Sequence, residues 1–376
     1  MPHHPQFILR VVIPALVHID WHRFLARPPL PAPSPDAVSS LVRYPILVTG
    51  AGGSIGSALA LRLASAGARI ILLESSEGRL HDLQQDFAHA NVADSATFYL
   101  GNVADRSLLD EIFSLHRPRI LFHAAAYKHV PINEEQPLAA IGNNVLATET
   151  LIASASMCNT RVVLLSTDKA VAPASIMGAT KRVAEQIVLN RGGVVLRLGN
   201  VLSSHGSVVE VLARQIAAGL PLTVTDPGAR RYFLTIAEAV GLLIAAAADS
   251  RCPALFVPQL SALYFISDLA RFMARTLAPN HNVAIEFSRL RAGDKESEQL
   301  WSGSETPHPA NVNGLILLDS PSIARSQFQA QLATLRNAVE SRDLAAALAA
   351  LRVLVPDYTP SEAVLAHSSS GQVSNG

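Results

Sequence analysis

Apolar residues gather in short runs that recur at helix-sized intervals through the first two hundred residues. The runs cover 45–50, 69–74, 96–101, 119–126, 161–167 and 194–200. Between them lie stretches with helical periodicity, beginning with an Ala/Leu-rich segment after Ser54. Apolar strands separated by helices are typical of βαβ units and of a parallel sheet buried on both faces. The pattern therefore predicts an α/β protein with a doubly wound parallel sheet.

The segments outside these runs suggest how the chain is organised. Residues 26–37 are rich in proline and predict a linker. An apolar run at 7–19 is too short to span a bilayer, and we expect it to pack on the main domain. We predict an arm and linker over 1–42 and the sheet domain over 43–200. A smaller, partly interleaved lobe is expected at the sheet's carboxyl edge over 201–330. A C-terminal helix and a disordered tail are expected over 331–376, with the tail over 367–376.

Charge and cysteine content narrow the class of protein. The chain has 30 basic and 30 acidic residues among 376, so it carries no field that attracts nucleic acid or an anionic membrane. Cys158 and Cys252 lie far apart, and the 13 histidines show no ligand spacing. We therefore expect reduced thiols and no metal site. These features predict a cytoplasmic protein without nucleic-acid partners and without a membrane span.

A glycine-rich turn joins the first predicted strand to its helix. Gly50, Gly53 and Gly56 have the spacing GxxGxxG, which suits a tight turn, close backbone approach to a pyrophosphate and helix–strand contact. The sheet is therefore predicted to be of the Rossmann type. The predicted dinucleotide contacts are Gly50, Gly52, Gly53, Ser54, Ile55 and Gly56, with Ala124, Ala125 and Ala126 after the fourth strand.

An acidic residue, Glu74, ends the second strand. A carboxylate at this place binds the hydroxyls of the adenosine ribose and repels a 2′-phosphate. This favours NAD over NADP, although Ser75 and Ser76 soften the preference and NADP stays open. Asn102 and Val103, after the third strand, are expected to meet the adenine.

Lysine is rare in this chain, and its lysines lie in the short motifs HAAAYK, STDK, MGATK and RAGDK. The chain has 26 arginines but only four lysines, Lys128, Lys169, Lys181 and Lys295. An ammonium, unlike a guanidinium, can lose a proton near neutral pH. Asp168 and Lys169 follow the fifth strand and offer a carboxylate and an amine for proton transfer. The alternative for this pair is a capping ion pair on a loop. Lys181 follows Met177 by four positions, so both share one helical face.

These stretches resemble a known family over residues 45–358. The matching stretches include VTGAGGSIGSALA, HAAAYKHVPINEEQPLAAIGNNVLAT, LLSTDKAVAPASIMGATKR and RRYFLTI. They resemble the bacterial polysaccharide-biosynthesis nucleotide-sugar 4,6-dehydratases of the extended short-chain dehydrogenase/reductase superfamily. The resemblance implies UDP-N-acetylglucosamine as substrate and a tightly bound NAD that is recycled.

The resemblance also implies roles for the residues around the fifth strand. Thr167 would orient the sugar 4-hydroxyl, Asp168 would act as the acid, and Lys169 would be the base at C5. Lys181 would position the cofactor. Short-chain dehydrogenases carry a tyrosine where Met177 stands, and a methionine cannot transfer a proton.

The same resemblance points to substrate-binding residues and to an assembly. Lys128 and His129 are predicted to face the substrate, with stabilisation of their loop as the alternative. The other predicted substrate contacts are Arg197, Asn200, Ser204, Ser207 and Arg231 around the sugar and diphosphate, and Arg291 and Glu298 at the uridine diphosphate. A homo-oligomer is expected, with the helices near 138–156 and 178–190 at the interface.

His123, at the end of the fourth strand, is expected from its position in the strand to be a packed core histidine.

Two other functions fit the same motifs. A UDP-sugar 4-epimerase would use the same fold but keep all the oxygens of the sugar. A non-catalytic regulator would use the dinucleotide fold for binding alone, against which the intact Asp168, Lys169 and Lys181 argue.

Overall fold

The computed structural model describes residues 16, 19–321 and 324–370. The strands of this part of the chain, in chain order, are β1 Ile46–Thr49, β2 Ile70–Glu74, β3 Ala96–Leu100, β4 Ile120–His123, β5 Arg161–Thr167, β6 Val194–Leu198, β7 Asn200–Val201, β8 Leu222–Val224, β9 Arg230–Arg231, β10 Phe233–Leu234, β11 Ala254–Pro258, β12 Tyr264–Phe265, β13 Ile285–Phe287, β14 Thr306–Pro309 and β15 Leu315–Asp319. Nine of them form one sheet, in the order β14-β15-β11-β6-β5-β4-β1-β2-β3.

The main sheet is parallel except at one edge. Strands β3, β2, β1, β4, β5, β6 and β11 run parallel, whereas β15 pairs antiparallel with β11 and with β14. The order 3-2-1-4-5-6 is that of a doubly wound dinucleotide-binding sheet. Every residue of β1, β2, β4, β6 and β11 is buried, because helices cover both faces. The predicted fold class is confirmed.

Helices connect the strands and flank the sheet. A π-helical turn, Gly142–Leu146, separates α7 from α8, and a 3₁₀ turn, Asp168–Ala170, follows β5. The helices are α1 Trp21–Leu25, α2 Pro35–Val42, α3 Ser54–Ser65, α4 Glu77–His89, α5 Arg106–His116, α6 Val130–Glu135, α7 Pro137–Ile141, α8 Ala147–Ser156, α9 Ile176–Leu189, α10 Val208–Ala217, α11 Ile236–Ala248, α12 Ile266–Leu277, α13 Arg325–Glu340, α14 Leu344–Leu354 and α15 Glu362–Ser370.

The N-terminal arm packs against helices α10, α11 and α12. Leu25 of α1 is 1% exposed and belongs to an apolar core formed with α10 and α12. The ring of Phe24 lies 5.4 Å from that of Phe272, between centroids. Arg27 then pairs with Glu238 of α11 at 2.6 Å. Of the predicted apolar run at 7–19, only Leu16 and Ile19 are described, and both are buried; residues 7–15 and 17–18 lie outside the described part.

The C-terminal helices cover part of a surface that we expected to be an interface. Side chains of α13 and α14 share one buried core with residues of α7, α8 and α9, and Gln186 Nε2 donates to the Leu354 carbonyl at 3.3 Å. Part of the predicted pairing surface near 138–156 and 178–190 is therefore buried within the chain, and the pairing of these helices stays a prediction. The homo-oligomer itself also stays a prediction.

The end of the chain also differs from expectation. The predicted disordered tail began at residue 367, but α15 continues to Ser370, and residues 371–376 lie outside the described part. Among the described helices, none has the length and apolar character that crossing a membrane requires. The described residues contain no group of three His, Cys, Asp or Glu side chains that could hold a metal ion. Cys158 and Cys252 are free thiols.

Candidate active site

The carboxyl ends of the parallel strands bring most of the predicted site residues to one edge of the sheet. Strand β1 leads into Gly50, β2 ends at Glu74, and β5 ends at Thr167. In doubly wound sheets, ligands bind in the crevice beyond these ends, where the strand order reverses. Here the reversal lies between β1 and β4, so the crevice runs over the glycine-rich turn.

The glycine-rich turn has the geometry that a dinucleotide pyrophosphate requires. Gly50 has a φ of +66°, and a Cβ there would lie 2.6 Å from the Ala125 nitrogen. A Cβ at Gly56 would lie 2.3 Å from the Gly50 oxygen. Helix α3 begins at Ser54 without a capping side chain from Gly53, so its first N–H groups suit an anionic ligand. The residues present therefore fit NAD or NADP.

Glu74 lies next to this turn, as its position in the sequence predicted. Its carboxylate accepts from the backbone nitrogens of Gly52 and Ser76, each at 2.9 Å, and it is buried. Asn102 Oδ1 accepts a hydrogen bond from the Ala104 nitrogen at 2.8 Å. The next residue, Val103, is buried. The contacts of Glu74 with ribose, and of Asn102 and Val103 with adenine, stay predictions.

Thr167, Asp168 and Lys169 form a hydrogen-bonded group at the end of β5. Thr167 Oγ1 donates to Asp168 Oδ1 at 2.9 Å, and Lys169 Nζ donates to the same oxygen at 3.0 Å. Asp168 is fully buried, and its Oδ2 has no hydrogen-bond partner within the described residues. Burial raises the pKa of the Asp168 carboxyl, and the Lys169 ammonium opposes the rise. This environment favours a carboxyl group that can hold a proton.

Helix α9 packs against β5 and carries Met177 and Lys181. Lys181 Nζ donates to the Leu165 carbonyl of β5 at 2.7 Å. Burial lowers the pKa of this ammonium to about 8, although the Glu185 carboxylate opposes the shift. Met177 is buried. The role of Lys181 at the nicotinamide ribose stays a prediction.

His123 is a packed core residue, as its sequence context indicated. It is buried, with Nδ1 2.7 Å from Thr49 Oγ1 and Nε2 2.9 Å from Thr148 Oγ1. Burial and the nearby Lys181 charge lower its pKa to about 3. The neutral imidazole thus ties β1, β4 and α8 together beneath the crevice.

Arg197, predicted to contact substrate, lies instead beneath the site. Its side chain is 0% exposed, and its guanidinium pairs with Glu185 and Glu305 at 2.8 Å each. Arg182 pairs with the same Glu305 at 2.8 Å. The prediction is wrong because Arg197 faces the interior, where two carboxylates compensate a charge that burial would otherwise make very costly.

Arg231 and Glu298, predicted to hold the substrate, also turn towards protein partners. Glu298 is 2% exposed, and its Oε1 lies 3.4 Å from Lys169 Nζ and 3.8 Å from Arg231 Nε. Both side chains thus contact Lys169 or each other, and their predicted contact with the substrate and its diphosphate stays a prediction. The Arg231 guanidinium donates to backbone carbonyls, those of Arg230, Lys295 and Glu296.

Lys128 and His129 hold a loop of the lobe over the glycine-rich turn. Lys128 Nζ donates to the carbonyl of His205, and the His205 nitrogen donates to Ser54 Oγ at 2.8 Å. Gly206 packs tightly on His129, since a Cβ at Gly206 would lie 2.5 Å from His129 Cε1. These residues close the crevice from the side of the lobe.

The other predicted substrate residues differ in their surroundings. Asn200 Oδ1 accepts from Lys169 Nζ at 3.0 Å. Ser204 and Ser207 lie half-buried on the loop, and Ser207 Oγ has no partner among the described residues. The Arg291 side chain is exposed and pairs with Asp294 at 3.2 Å, so its guanidinium is accessible to a ligand.

One functional candidate, Asn144, was missed. It is buried in the π-helical turn, where Oδ1 accepts from the Tyr127 nitrogen at 2.8 Å and Nδ2 donates to the Tyr127 carbonyl and Thr180 Oγ1, each at 3.0 Å. Turns of this kind within helices are frequent at functional sites. The available signal was an amide side chain inside an otherwise apolar helical stretch.

The fold and this group of residues define an extended short-chain dehydrogenase/reductase. Its features are the sheet order, the glycine-rich turn, and Lys181 of α9 bonded to the Leu165 carbonyl of β5, the strand that ends at Thr167. The chain belongs to the polysaccharide biosynthesis protein family, whose model matches residues 46–318.

Curated relatives agree with this placement. The chain is 35% identical over 317 residues to the probable polysaccharide biosynthesis protein EpsC of Bacillus subtilis, covering 81% of this chain and 53% of EpsC. It is 36% identical over 309 residues to the capsular polysaccharide biosynthesis protein CapD of Staphylococcus aureus, covering 79% and 51%. The chain thus spans about half the length of these two relatives. A UDP-glucose 4-epimerase of Rickettsia rickettsii is 34% identical over 275 residues, 69% of this chain and 78% of that protein.

Solved structures show the same fold. Pen from Bacillus thuringiensis aligns with a TM-score of 0.69 at 24% identity, covering 76% of this chain and 89% of Pen. The UDP-glucose 4-epimerase of Thermus thermophilus, solved in complex with NAD, aligns with a TM-score of 0.59 at 20% identity, covering 69% and 90%.

Proposed function

We propose that this protein is an NAD-dependent 4,6-dehydratase that converts UDP-N-acetylglucosamine to a UDP-4-keto-6-deoxy sugar. The observation that carries the proposal is the 3.0 Å contact between Asp168 and Lys169 beside Thr167. A neighbouring carboxyl and amine can protonate one atom of a substrate and deprotonate another. Membership of the polysaccharide biosynthesis family supports a role in making a surface polysaccharide or glycan.

Removal of water requires a base at C5 and an acid at C6. When bound, NAD supplies the hydride chemistry that makes C4 a ketone and later reduces C6. The ketone makes the C5 hydrogen acidic, and the neutral amine of Lys169 removes it. Protonated Asp168 donates to the C6 hydroxyl, the C6–O bond breaks and water leaves. Lys169 then returns a proton to C5.

Thr167 provides a route by which the 4-hydroxyl proton reaches Asp168. Its Oγ1 already donates to Asp168 Oδ1 at 2.9 Å, so a proton accepted from the sugar can pass along this bond to the carboxylate. Asp168 then holds the proton that it later gives to the C6 hydroxyl. This route leaves Met177 without a task in proton transfer.

The remaining assignments concern the cofactor and the rest of the substrate. The buried Glu74 carboxylate supports NAD over NADP because it would repel a 2′-phosphate. The exposed Arg291 guanidinium suits the diphosphate, since two N–H groups can bind phosphate oxygens together. A homo-oligomer would use a surface other than the one that α13 and α14 cover. The proposed sugar contacts are Lys128, His129, Asn200, Ser204 and Ser207.

The second candidate is a UDP-sugar 4-epimerase. It is favoured by the similarity to the protein of Rickettsia rickettsii, at 34% identity. An epimerase returns the hydride to C4 and leaves the C6 hydroxyl in place. It therefore has no use for an acid at C6, which is the task proposed for Asp168.

The mass of the product separates the two candidates. The purified protein is incubated with NAD and UDP-N-acetylglucosamine, the nucleotide sugars are separated, and their masses are measured by mass spectrometry. We expect a product lighter by one water, absent with Lys169→Met and present with Arg191→Met, which alters an exposed residue. A product of unchanged mass that is the C4 epimer would contradict the dehydratase and establish the alternative.

A further inference from the structure

Three acceptors surround the ammonium of Lys169. Asp168 Oδ1 and Asn200 Oδ1 each lie 3.0 Å from Nζ, and Glu298 Oε1 lies 3.4 Å from it. An ammonium has three N–H donors; here it forms hydrogen bonds with Asp168 and Asn200 and an ion pair with Glu298. The Lys169 side chain is 20% exposed. The position of Nζ is therefore set by these side chains more than by water.

Glu298 is fixed behind Lys169 by two further cations. Lys295 Nζ lies 3.4 Å from its Oε2, and Arg231 Nε lies 3.8 Å from its Oε1. Lys295 Nζ also donates to the Val171 carbonyl at 2.6 Å, which ties this segment to the loop that follows Lys169. A carboxylate so enclosed acts on the reaction through Lys169 and not by touching the sugar.

We propose that Glu298 is a positioning residue for proton transfer: its carboxylate holds Lys169 Nζ against Asp168 and Asn200 and favours the ammonium form of Lys169. The position of Glu298 follows from its contacts with Lys169, Lys295 and Arg231, whereas its effect on turnover rests on the proposed function.

The electrostatic effects of Glu298 act on both members of the pair. Burial opposes the charge on Lys169, but the Asp168 and Glu298 carboxylates outweigh it and raise the pKa of the ammonium, with Arg231 opposing. Burial raises the pKa of Asp168, and Glu298 adds to that rise. One carboxylate thus makes Lys169 a stronger base once deprotonated and helps Asp168 to keep its proton. The other titratable groups facing this cluster are Arg231, Lys295 and Tyr232.

Glu298 influences the reaction through the protonation state of Lys169. Lys169 releases its ammonium proton to solvent before elimination, and its free electron pair takes the C5 proton. The C5–H electrons form the C5=C6 bond, and the C6–O electrons leave with the Asp168 proton as water. After Lys169 has returned a proton to C5, it takes one from solvent. Glu298 neither gains nor loses a proton.

The low lysine content of the chain allows a direct test. Protein labelled with ¹³C at lysine Cε gives signals that single Lys→Arg variants assign. We expect Glu298→Gln to lower the pH midpoint of the Lys169 signal by about 1–3 units, the effect of a charge at this distance. The matched control is Glu296→Gln, which alters an exposed carboxylate of the same segment and should leave the midpoint unchanged. The four lysines are Lys128, Lys169, Lys181 and Lys295.

An unchanged Lys169 midpoint in folded Glu298→Gln protein overturns the proposal. Glu298→Asp retains the charge on a shorter side chain and also serves if the glutamine variant does not fold. Its midpoint should fall by less than about one unit, because the carboxylate charge is retained and only moves away from Lys169 Nζ. A fall of about one unit or more, as large as that expected on removing the charge, would overturn the proposal.

Binding and turnover give separate readouts. UDP affinity measured by calorimetry should stay within about twofold in both variants, since Glu298 is proposed not to touch the ligand. A tenfold loss of affinity would instead indicate that Glu298 contacts the diphosphate, and it would overturn the proposal. In Glu298→Gln the rising limb of kcat against pH should move to lower pH together with the NMR midpoint, with KM unchanged. If the wild-type protein removes no water, the proposed function fails while the titration still decides the role of Glu298.

Discussion

At the residue scale, the buried Arg197 guanidinium is held by carboxylates from distant parts of the chain. Its partners, Glu185 and Glu305, lie 12 and 108 positions away. Each pair lies at 2.8 Å and is buried. The charge of Arg197 is therefore compensated inside the protein and joins segments that are far apart in the sequence.

The first residue-scale prediction concerns this buried cation. Arg197→Met removes the fully buried one of the two cations that pair with Glu185 and Glu305, the other being Arg182. We expect the free energy of unfolding to fall by about 3–5 kcal/mol. Urea unfolding measures the change. Arg191→Met, at an exposed position, should change it by less than about 0.5 kcal/mol. Equal stability of the two variants would show that the buried cluster does not hold the fold together.

At the element scale, the parallel part of the sheet was predictable because each strand is an apolar run between helical segments. The run at 119–126 was overestimated, since β4 ends at His123 and the alanines that follow leave the sheet. The return of β11, β14 and β15 to the sheet edge was not predicted. The docking of α1 was not predictable either, because its partners come from the lobe, as in the bond from Tyr264 to Leu25, 239 positions apart.

The element-scale prediction concerns this arm. Leu25→Ala removes a side chain that is 1% exposed in the core between α1, α10 and α12. Such a deletion costs about 2–5 kcal/mol, so amide hydrogen exchange should become faster in α10 and α12 and stay unchanged in β1 and β2. Val211→Ala, at an exposed position on α10, is the control. Equal acceleration in the lobe and in the central strands would mean that the arm stabilises the whole chain and not the lobe.

At the scale of the whole molecule, the main sheet and segments that follow β6 in the chain meet around Lys169. The sheet provides Thr167, Asp168 and the cofactor turn, while Asn200 and Glu298 reach the ammonium from segments that follow β6. The sequence indicated which residue types belong to the site. It did not indicate which of them face the ligand and which face each other, because that depends on how distant segments pack.

The central claim is that Asp168 and Lys169 remove water from a UDP-sugar, and tracing hydrogen atoms in heavy water tests it most directly. The cofactor-bound protein is incubated in D₂O with UDP-N-acetylglucosamine, and the product is examined by NMR. The account predicts a sugar that has lost one water, carries solvent deuterium at C5 and carries the original C4 hydrogen at C6. A C4 epimer that keeps every oxygen and has no deuterium at C5 would contradict it.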